Sequence, residues 1–453
     1  NFFQGTVGVV VLHWMGKGKD FFLPELKEKT EEDLNAILER AKEIGLLSRI
    51  GHYYFIIHPA LPWFIGQYFA QHYNGQNGHS TSEMALLAWV SAMGKIGNYC
   101  FDRFNNQDRS VIKVLEIEEN NLLHARKIAR KQHWLMHVIS CMQGLTTLYE
   151  YQGRIPEYAK LVAEILSDYN TAENDPISGL EEEWIIIMGY SVWLARVYEK
   201  NPAKALDLQR KILEICKKRA ADILALPKSS SLNDEQRNLL RSLGVALVVW
   251  GKNLCEKDEA ECIQSFEEAI GIYRQIHDVS EEAATEYQLG LAYINVKEVR
   301  DLDAAEDAFK RSLALKVTTD SLGRAITIKQ IGTVYFERWK DAVRGNELHQ
   351  RQFQIANAAL EYTLEGLRLC PEGALFDLAP IHAQLGILYS ILGEGDKARR
   401  HDEESIRYFE QIDDRLGSGG TRVNMAVDFF NAGNQMTSPS DKRSNFLFVL
   451  GTM

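Results

Sequence analysis

Few residues in this chain stand at spacings that could do chemistry. His133 and His137 are four apart, the spacing that puts two imidazoles on one helix face and can hold zinc. No Glu stands beside His133 and no third ligand is evident, so the pair reads as two partly buried helix residues. Gly16-Lys17-Gly18-Lys19 has the composition of a phosphate-cradling loop without its spacing. The pattern G-x-x-x-x-G-K followed by Ser or Thr occurs nowhere, so the chain alone cannot bind ATP by that route. There is no G-x-S-x-G elbow. Cys100, Cys141, Cys216, Cys255, Cys262 and Cys370 form no C-x-x-C pair and read as reduced thiols packed in apolar helices, which predicts a cytoplasmic protein. Arg126, Lys127, Arg130 and Lys131 could make an anion site, but their spacing reads better as a solvated helix face. The expectation is a chain with no catalytic residue and no metal.

Such a chain must owe its function to the elements that carry its surface. At 453 residues and 45% apolar it can bury a large interior. A net charge of -11 opposes attraction to nucleic-acid phosphates and anionic lipid, so neither is an expected partner. No apolar run approaches the roughly 20 residues that cross a bilayer; the run at 7–12 stops at His13. The chain opens at Asn1 with no signal-peptide features and reads as a cut inside a longer protein. Prolines are scarce, and after Pro62 apolar residues recur at spacings of three, four and seven, which predicts amphipathic helices. Turn-rich segments at 74–80, 170–179, 227–233 and 437–440 punctuate them.

Residues 1–74 read differently. A helix over 32–44 carries Leu34, Ile37, Leu38, Ala41 and Ile44 on one face and stops at Gly45. Extended segments at 46–49 and 53–57 follow, joined by a turn at 50–52, and strands are expected only there. After an earlier apolar segment near 2–14, that is the order of a winged helix. Glu32, Asp33, Glu39 and Glu43 outnumber Arg40 and Lys42 on its helix, which argues against DNA reading.

Internal repetition is the strongest signal. The pattern Leu-Gly-x2-Tyr recurs as Leu289-Gly290 with Tyr293, Ile331-Gly332 with Tyr335 and Leu385-Gly386 with Tyr389, and more weakly as Met425-Ala426 with Phe429. Eleven residues upstream of each leucine position stand Asp278, Asp320, Ala374 and Asp414. Second helices carry Ala305, Phe309 and Ser312; Ala359, Thr363 and Gly366; Ala398, Asp402 and Ser405; and earlier Cys262, Phe266 and Ala269. A degenerate copy lies at Leu145, Tyr149, Gly153 and Val162. Small residues at the crossing let two helix axes approach to about 8–10 Å, while Leu and aromatic positions fill the space to the next pair. This is the tetratricopeptide pattern. Its period is stretched by three extra residues before Ala305 and by a charged insertion at 340–352. The predicted fold is all-α: a tetratricopeptide-like α-solenoid over 81–433, preceded by a small winged-helix domain with one β-hairpin at 1–74 and followed by an irregular tail at 434–453.

Three blocks extend the pattern to a family. Tyr53-Tyr54-Phe55-Ile56-Ile57-His58-Pro59-Ala60-Leu61-Pro62-Trp63-Phe64, Glu118-Glu119-Asn120-Asn121-Leu122-Leu123-His124-Ala125-Arg126 and Met142-Gln143-Gly144-Leu145-Thr146-Thr147-Leu148-Tyr149 together resemble the C-terminal half of STAND-class signalling NTPases. In that class a nucleotide-binding domain precedes a winged helix that leads into a tetratricopeptide sensor. The resemblance implies that His58, after the hairpin, contacts the phosphates of a nucleotide held by an upstream domain. It also implies that ATP or ADP is expected only with that domain, this chain carrying no cofactor and no hydrolytic activity.

The favoured function is a ligand- or partner-sensing regulatory region of a STAND NTPase, binding a peptide or protein and relaying it through the winged helix to self-assembly of the full-length protein. A freestanding tetratricopeptide adaptor and a winged-helix transcription regulator are the alternatives. An upstream phosphate-binding loop would separate the first from the second, and salt-sensitive duplex binding would mark the third. Tetratricopeptide arrays bind along the first helices of their repeats, and the corresponding residues here are Gln143, Thr147, Tyr287, Leu291, Asn295, Lys329, Thr333 and Glu337. Their mixture of amide, aromatic and charged groups suits a peptide or protein surface.

Overall fold

Thr30 opens the first long helix because its side chain accepts the Asp33 N–H at 3.1 Å while the Asp33 carboxylate accepts the Thr30 N–H at 3.0 Å, a reciprocal cap. The helix ends before Gly45, whose φ of +79° suits glycine. The computed structural model describes residues 2–18, 22–59, 71–73, 81–105, 108–171, 174–226 and 231–435, with side chains to 427. The turn segment at 74–80, the block at 60–64, Lys19, the Phe429 side chain and residues 436–453 of the expected tail lie outside the described residues. Two compact units divide the chain, 1–208 and 209–453.

The first unit begins with β1 (Thr6–Gly8), α1 (Val9–Gly16), a short 3-10 turn (Pro24–Leu26), α2 (Glu31–Glu43), β2 (Leu47–Arg49) and β3 (Tyr54–Ile57). The sheet order is β1-β3-β2, antiparallel throughout. Strands are therefore not confined to 46–57: Thr6–Gly8 is a third one, pairing Val7 with Phe55. Its run of apolar residues splits into strand and helix at Gly8, a division that periodicity alone cannot reveal in so short a run. Val7, Val9, Leu34, Leu38, Leu47 and Phe55 form the core. Ile37 and Ile44, expected on the buried face of α2, are 53% and 62% exposed, because this small core takes only the Leu34 and Leu38 stripe.

Among the helices that follow in this unit are α3 (Ser82–Asn105), α4 (Val111–Lys131), α5 (Leu135–Tyr151), α6 (Ile155–Tyr169) and α7 (Glu181–Val197). Helices α3 and α5 cross backbone to backbone. A Cβ on Gly97 would sit 2.2 Å from the Ser140 carbonyl oxygen, and one on Gly144 would sit 2.9 Å from the Gly97 Cα. The degenerate repeat is the α5–α6 pair, with Leu145, Tyr149 and Val162 buried and Gly153 turning at φ +69°. Two expectations are corrected. His133 and His137 do not share a helix, because His133 has φ +57° in the turn between α4 and α5. The basic run on α4 is only half a solvated face: Lys127 and Lys131 are exposed, but Arg126 is buried, donating to the Leu161 carbonyl and Glu164 at 2.9 Å each, and Arg130 pairs with Asp168.

Helix α8 (Pro202–Leu224) begins in the first unit, and the second continues with α9 (Asp234–Glu256), α10 (Cys262–Ile276), α11 (Val279–Asn295), α12 (Leu302–Leu315), α13 (Ser321–Arg344), α14 (His349–Leu369), α15 (Leu375–Ile391), α16 (Gly395–Gln411) and α17 (Arg415–Gln435). From α9 onward each helix packs against its sequence neighbours, the arrangement of a tetratricopeptide-like α-solenoid. The repeated residues do what their spacing demands. Asp278, Asp320 and Asp414 cap α11, α13 and α17 by accepting backbone N–H groups, while Ala374 offers no side-chain cap. Each Leu-Gly glycine meets the second-helix residue expected to face it: Gly290 meets Phe309, Gly332 meets Thr363 and Gly386 meets Asp402. The small residue one turn on sits against an alanine carbonyl, Ser312 donating to Ala283 at 2.7 Å and Ser405 to Ala379 at 2.9 Å.

The insertions are absorbed in two ways. The three extra residues before Ala305 form a 3-10 turn at Lys297–Val299. The charged insertion at 340–352 is mostly helical: it lengthens both α13 and α14 and leaves a turn only at 345–348. Among the described residues, no helix is long and apolar enough to cross a membrane.

Candidate functional site

The first helices α11, α13 and α15 bring their polar faces together in the second unit. The Leu-Gly register fixes which residues those are. Leu289, Ile331 and Leu385 turn inward to the helix pairs, which leaves Tyr287, Lys329 and Thr333 on the adjoining face. Gln330 Nε2 on α13 donates to the Tyr287 hydroxyl on α11 at 3.2 Å, and the Thr333 hydroxyl on α13 reaches Gln384 Oε1 on α15 at 3.3 Å. Because Gln384 Oε1 accepts, its Nε2 is the spare donor, and that nitrogen is buried without a partner.

Lys329 is the most unusual group on this face. It is half-buried, and its stem lies against Gly366 of α14, where a Cβ would come within 3.1 Å of the Lys329 Cβ. Among the described residues, its ammonium meets no hydrogen-bond or ion-pair partner within contact distance. Burial lowers its pKa, with the Asp377 carboxylate on α15 acting against that across a gap. Asp377 is pushed the opposite way, its pKa raised by burial and eased down by Lys329. The two opposite charges thus sit near one another without touching, each paying for lost water. Tyr287 likewise has its phenol pKa raised by burial. The half-buried Lys329 ammonium and the spare Gln384 amide N–H thus leave donor capacity at this face.

The other expected groove residues are placed as follows. Leu291 packs with Tyr287 against Phe309 and Ile331, so both contribute to a core as well as a surface. Asn295 is exposed at the end of α11. Glu337 is held by Lys340 at 2.5 Å and Arg300 at 3.6 Å. In the first unit, Thr147 is buried with its hydroxyl donating to the Gln143 carbonyl at 2.7 Å, and Gln143 Oε1 is buried without a partner. His58 is exposed just after β3, its backbone N–H donating to Leu46 O at 3.2 Å. No group of three metal-ligating side chains occurs among the described residues.

Gln330, Asp377 and Gln384 were missed by sequence reasoning, yet a signal for two of them existed. Glutamine precedes the leucine position in three copies, as Gln288, Gln330 and Gln384. In two of those copies it reaches back to the preceding first helix. Asp377 carried no such signal.

No protein-family model matches this chain, and no curated protein sequence matches it. Several solved structures are similar in fold. One is a STAND protein with a tetratricopeptide repeat sensor from Pyrococcus horikoshii, at 15% identity over 98% of this chain and 62% of that one, TM-score 0.44. Another is the apo quorum sensor NprR from B. thuringiensis, at 11% identity over 80% of this chain and 97% of that one, TM-score 0.41. A third is BtubC from P. vanneervenii, at 17% identity over 58% of this chain and 92% of that one, TM-score 0.38.

Proposed function

We propose that this chain is the sensing and regulatory region of a STAND-class NTPase, and that the face built by α11, α13 and α15 binds a peptide or protein carrying an acidic group. The observation that carries the binding site is Lys329, half-buried on that face, whose pKa is lowered by burial and only partly restored by Asp377. A carboxylate from a partner would meet it, with the Gln384 Nε2 as a second donor and Tyr287 as contact area. The chain itself carries no catalysis in this reading, and nucleotide chemistry belongs to a domain upstream.

Support for the winged-helix part comes from the sheet order β1-β3-β2 with α2 preceding the β2–β3 hairpin. Its helix is poorly suited to DNA. Arg40 pairs with Glu43, and Lys42 and Arg49 both pair with Glu39, so the few cations near this face are already neutralised. His58 stands exposed at the hairpin's end, the position from which a nucleotide phosphate on another domain could be reached.

The test is capture of a partner from extract of the source cells by the full chain, followed by the same capture with Lys329→Met and Gln384→Leu. Loss of the partner with an unchanged melting temperature supports the groove. Retention of the partner by both variants, with loss on a variant of the 345–348 turn, would move the site to the tip of the α13–α14 hairpin.

A further inference from the structure

Glu118 is a fully buried acid in the first unit, on α4, and no cation among the described residues faces it. Its Oε2 accepts a hydrogen bond from Asn121 Nδ2 at 2.6 Å. Asn121, one turn further along the same helix, is also fully buried, and it holds the N-terminal strand. Its Oδ1 accepts the Gln4 backbone N–H at 2.6 Å, and its Nδ2 reaches the Thr6 carbonyl at 3.1 Å and the Thr6 hydroxyl at 3.2 Å. Thr6 in turn donates its hydroxyl to the Ile117 carbonyl at 3.2 Å. The Gln4 N–H settles which end of the Asn121 amide is oxygen, so Glu118 Oε2 must be an acceptor. Its other oxygen, Oε1, has no partner of good geometry, although the Tyr54 phenol on β3 lies against the carboxyl group. Gly8 closes the pocket from β1: a Cβ there would fall 3.0 Å from Glu118 Oε1 and 2.9 Å from the Tyr54 ring.

The seam between the N-terminal sheet and α4 is therefore polar, dry and centred on one carboxyl group. The titratable groups around it are Tyr54 on β3 and Cys100 on α3, with Asp108 beyond Cys100. None of the three is a cation, so a carboxylate here would have only the hydrogen bonds of Asn121 and Tyr54 to offset its burial. A neutral acid needs no counter-charge, and its O–H can donate to the Tyr54 oxygen. An ionised one leaves a buried negative charge with one or two hydrogen bonds.

We propose that Glu118 is a proton-operated latch: as the neutral acid it holds the β1–β3 sheet on α4, and as the carboxylate it loosens that seam. Burial raises the Glu118 pKa from 4.5 to about 7, with the Asn121 and Tyr54 hydrogen bonds working against it. A folded-state pKa above the unfolded value means that docking is favoured at low pH and weakened as pH rises toward about 7. Between those two values the opening equilibrium of the seam should increase about tenfold per pH unit, and above them it should level off. Neutral pH falls at the end of the steep range, where a change in the surroundings of Glu118 shifts its charge most readily.

Amide hydrogen exchange of the full chain, corrected for intrinsic rates, tests this at residues 5–8 and 54–57. Protection there should fall about tenfold per pH unit between about pH 5 and 7 while helices α13–α16 show no such slope. Glu118→Gln keeps the shape without the proton and should abolish the slope. A carboxyl-carbon NMR titration of Glu118 in the unmodified chain gives an independent reading, expected to have its midpoint near 7. A slope retained in Glu118→Gln, or a midpoint near 4.5, would overturn the latch.

Discussion

Replacing Gly290 with alanine should be harmful in the native chain and helpful once Phe309 is gone. An added Cβ at Gly290 would lie 2.7, 2.8 and 2.9 Å from three carbons of the Phe309 ring, and those are its three nearest neighbours. Real Cβ atoms do not approach so closely, so the ring or the helix must move, an overpacking cost of about 1–3 kcal/mol. Against it stands the helix propensity of alanine over glycine, about 1 kcal/mol in an interior turn. The net for Gly290→Ala alone is therefore a loss of about 1 kcal/mol. Phe309 is fully buried, and Phe309→Ala should cost about 3–5 kcal/mol by itself. In that background the obstructing ring is absent, and Gly290→Ala should now stabilise by about 1 kcal/mol, giving a coupling near 2 kcal/mol. Urea melts of the native chain, both single variants and the double variant measure all four corners. If Gly290→Ala has the same sign and size in both backgrounds, the packing argument for the Leu-Gly glycines is wrong.

Tyr287 rests on Phe309 with ring centroids 5.5 Å apart, so Tyr287→Ala should lower the melting temperature, whereas Tyr287→Phe should spare it and report on binding alone. Glu286 is buried and bridges Arg274 at 2.9 Å and Arg311 at 2.9 Å; Glu286→Gln should cost about 1–3 kcal/mol in denaturant melts, and a neutral result would show the bridge to be incidental. His382 and His401 face each other with Nδ1 atoms 3.1 Å apart, and burial, His401 and Arg407 depress His382 to about 4. With a folded-state value below the ordinary 6.5, that stability is present above about 6.5 and lost as pH falls toward 4, so His382→Gln should flatten the acid limb of the melting curve; an unchanged limb would point to other groups. If the chain works with an upstream nucleotide-binding domain, His58→Ala in the full-length protein should weaken nucleotide retention by about 1.5–3 kcal/mol, read by equilibrium binding, and unchanged retention would remove His58 from that role.

The repeat array was legible because its constraints are local and recur. An Asp eleven residues before the leucine position announced a helix cap, and three of the four such positions carry one. A glycine opposite Phe309, Thr363 or Asp402 is a contact between helices only a short turn apart, so spacing alone registers it. The N-terminal strand was not legible, since Thr6–Gly8 is stabilised by Phe55 and by Asn121, more than a hundred residues away for the latter. Arg126 and Arg130 misled for the same reason, their acids being supplied by α6. On the candidate site the sequence named Tyr287, Lys329 and Thr333 but could not say that Lys329 would be half-buried. That follows from Gly366 and Asp377, which belong to different helices.

The long α13–α14 hairpin bears on how such arrays can change length. Ala359 follows Gly332 by 27 residues, where Ala398 follows Gly386 by only 12. The 15 added residues are shared between an outgoing and a returning helix, so each gains about two turns of 3.6 residues. Because whole turns were added to both arms, Ala359 and Thr363 still face Gly332 as their counterparts do in the shorter pair. Length at this tip is therefore quantised: growth or loss of about seven residues adds or removes one turn from each arm, while a step of three or four would leave one arm a turn longer than its partner. Natural variation in this hairpin should be read as a count of turns rather than of residues.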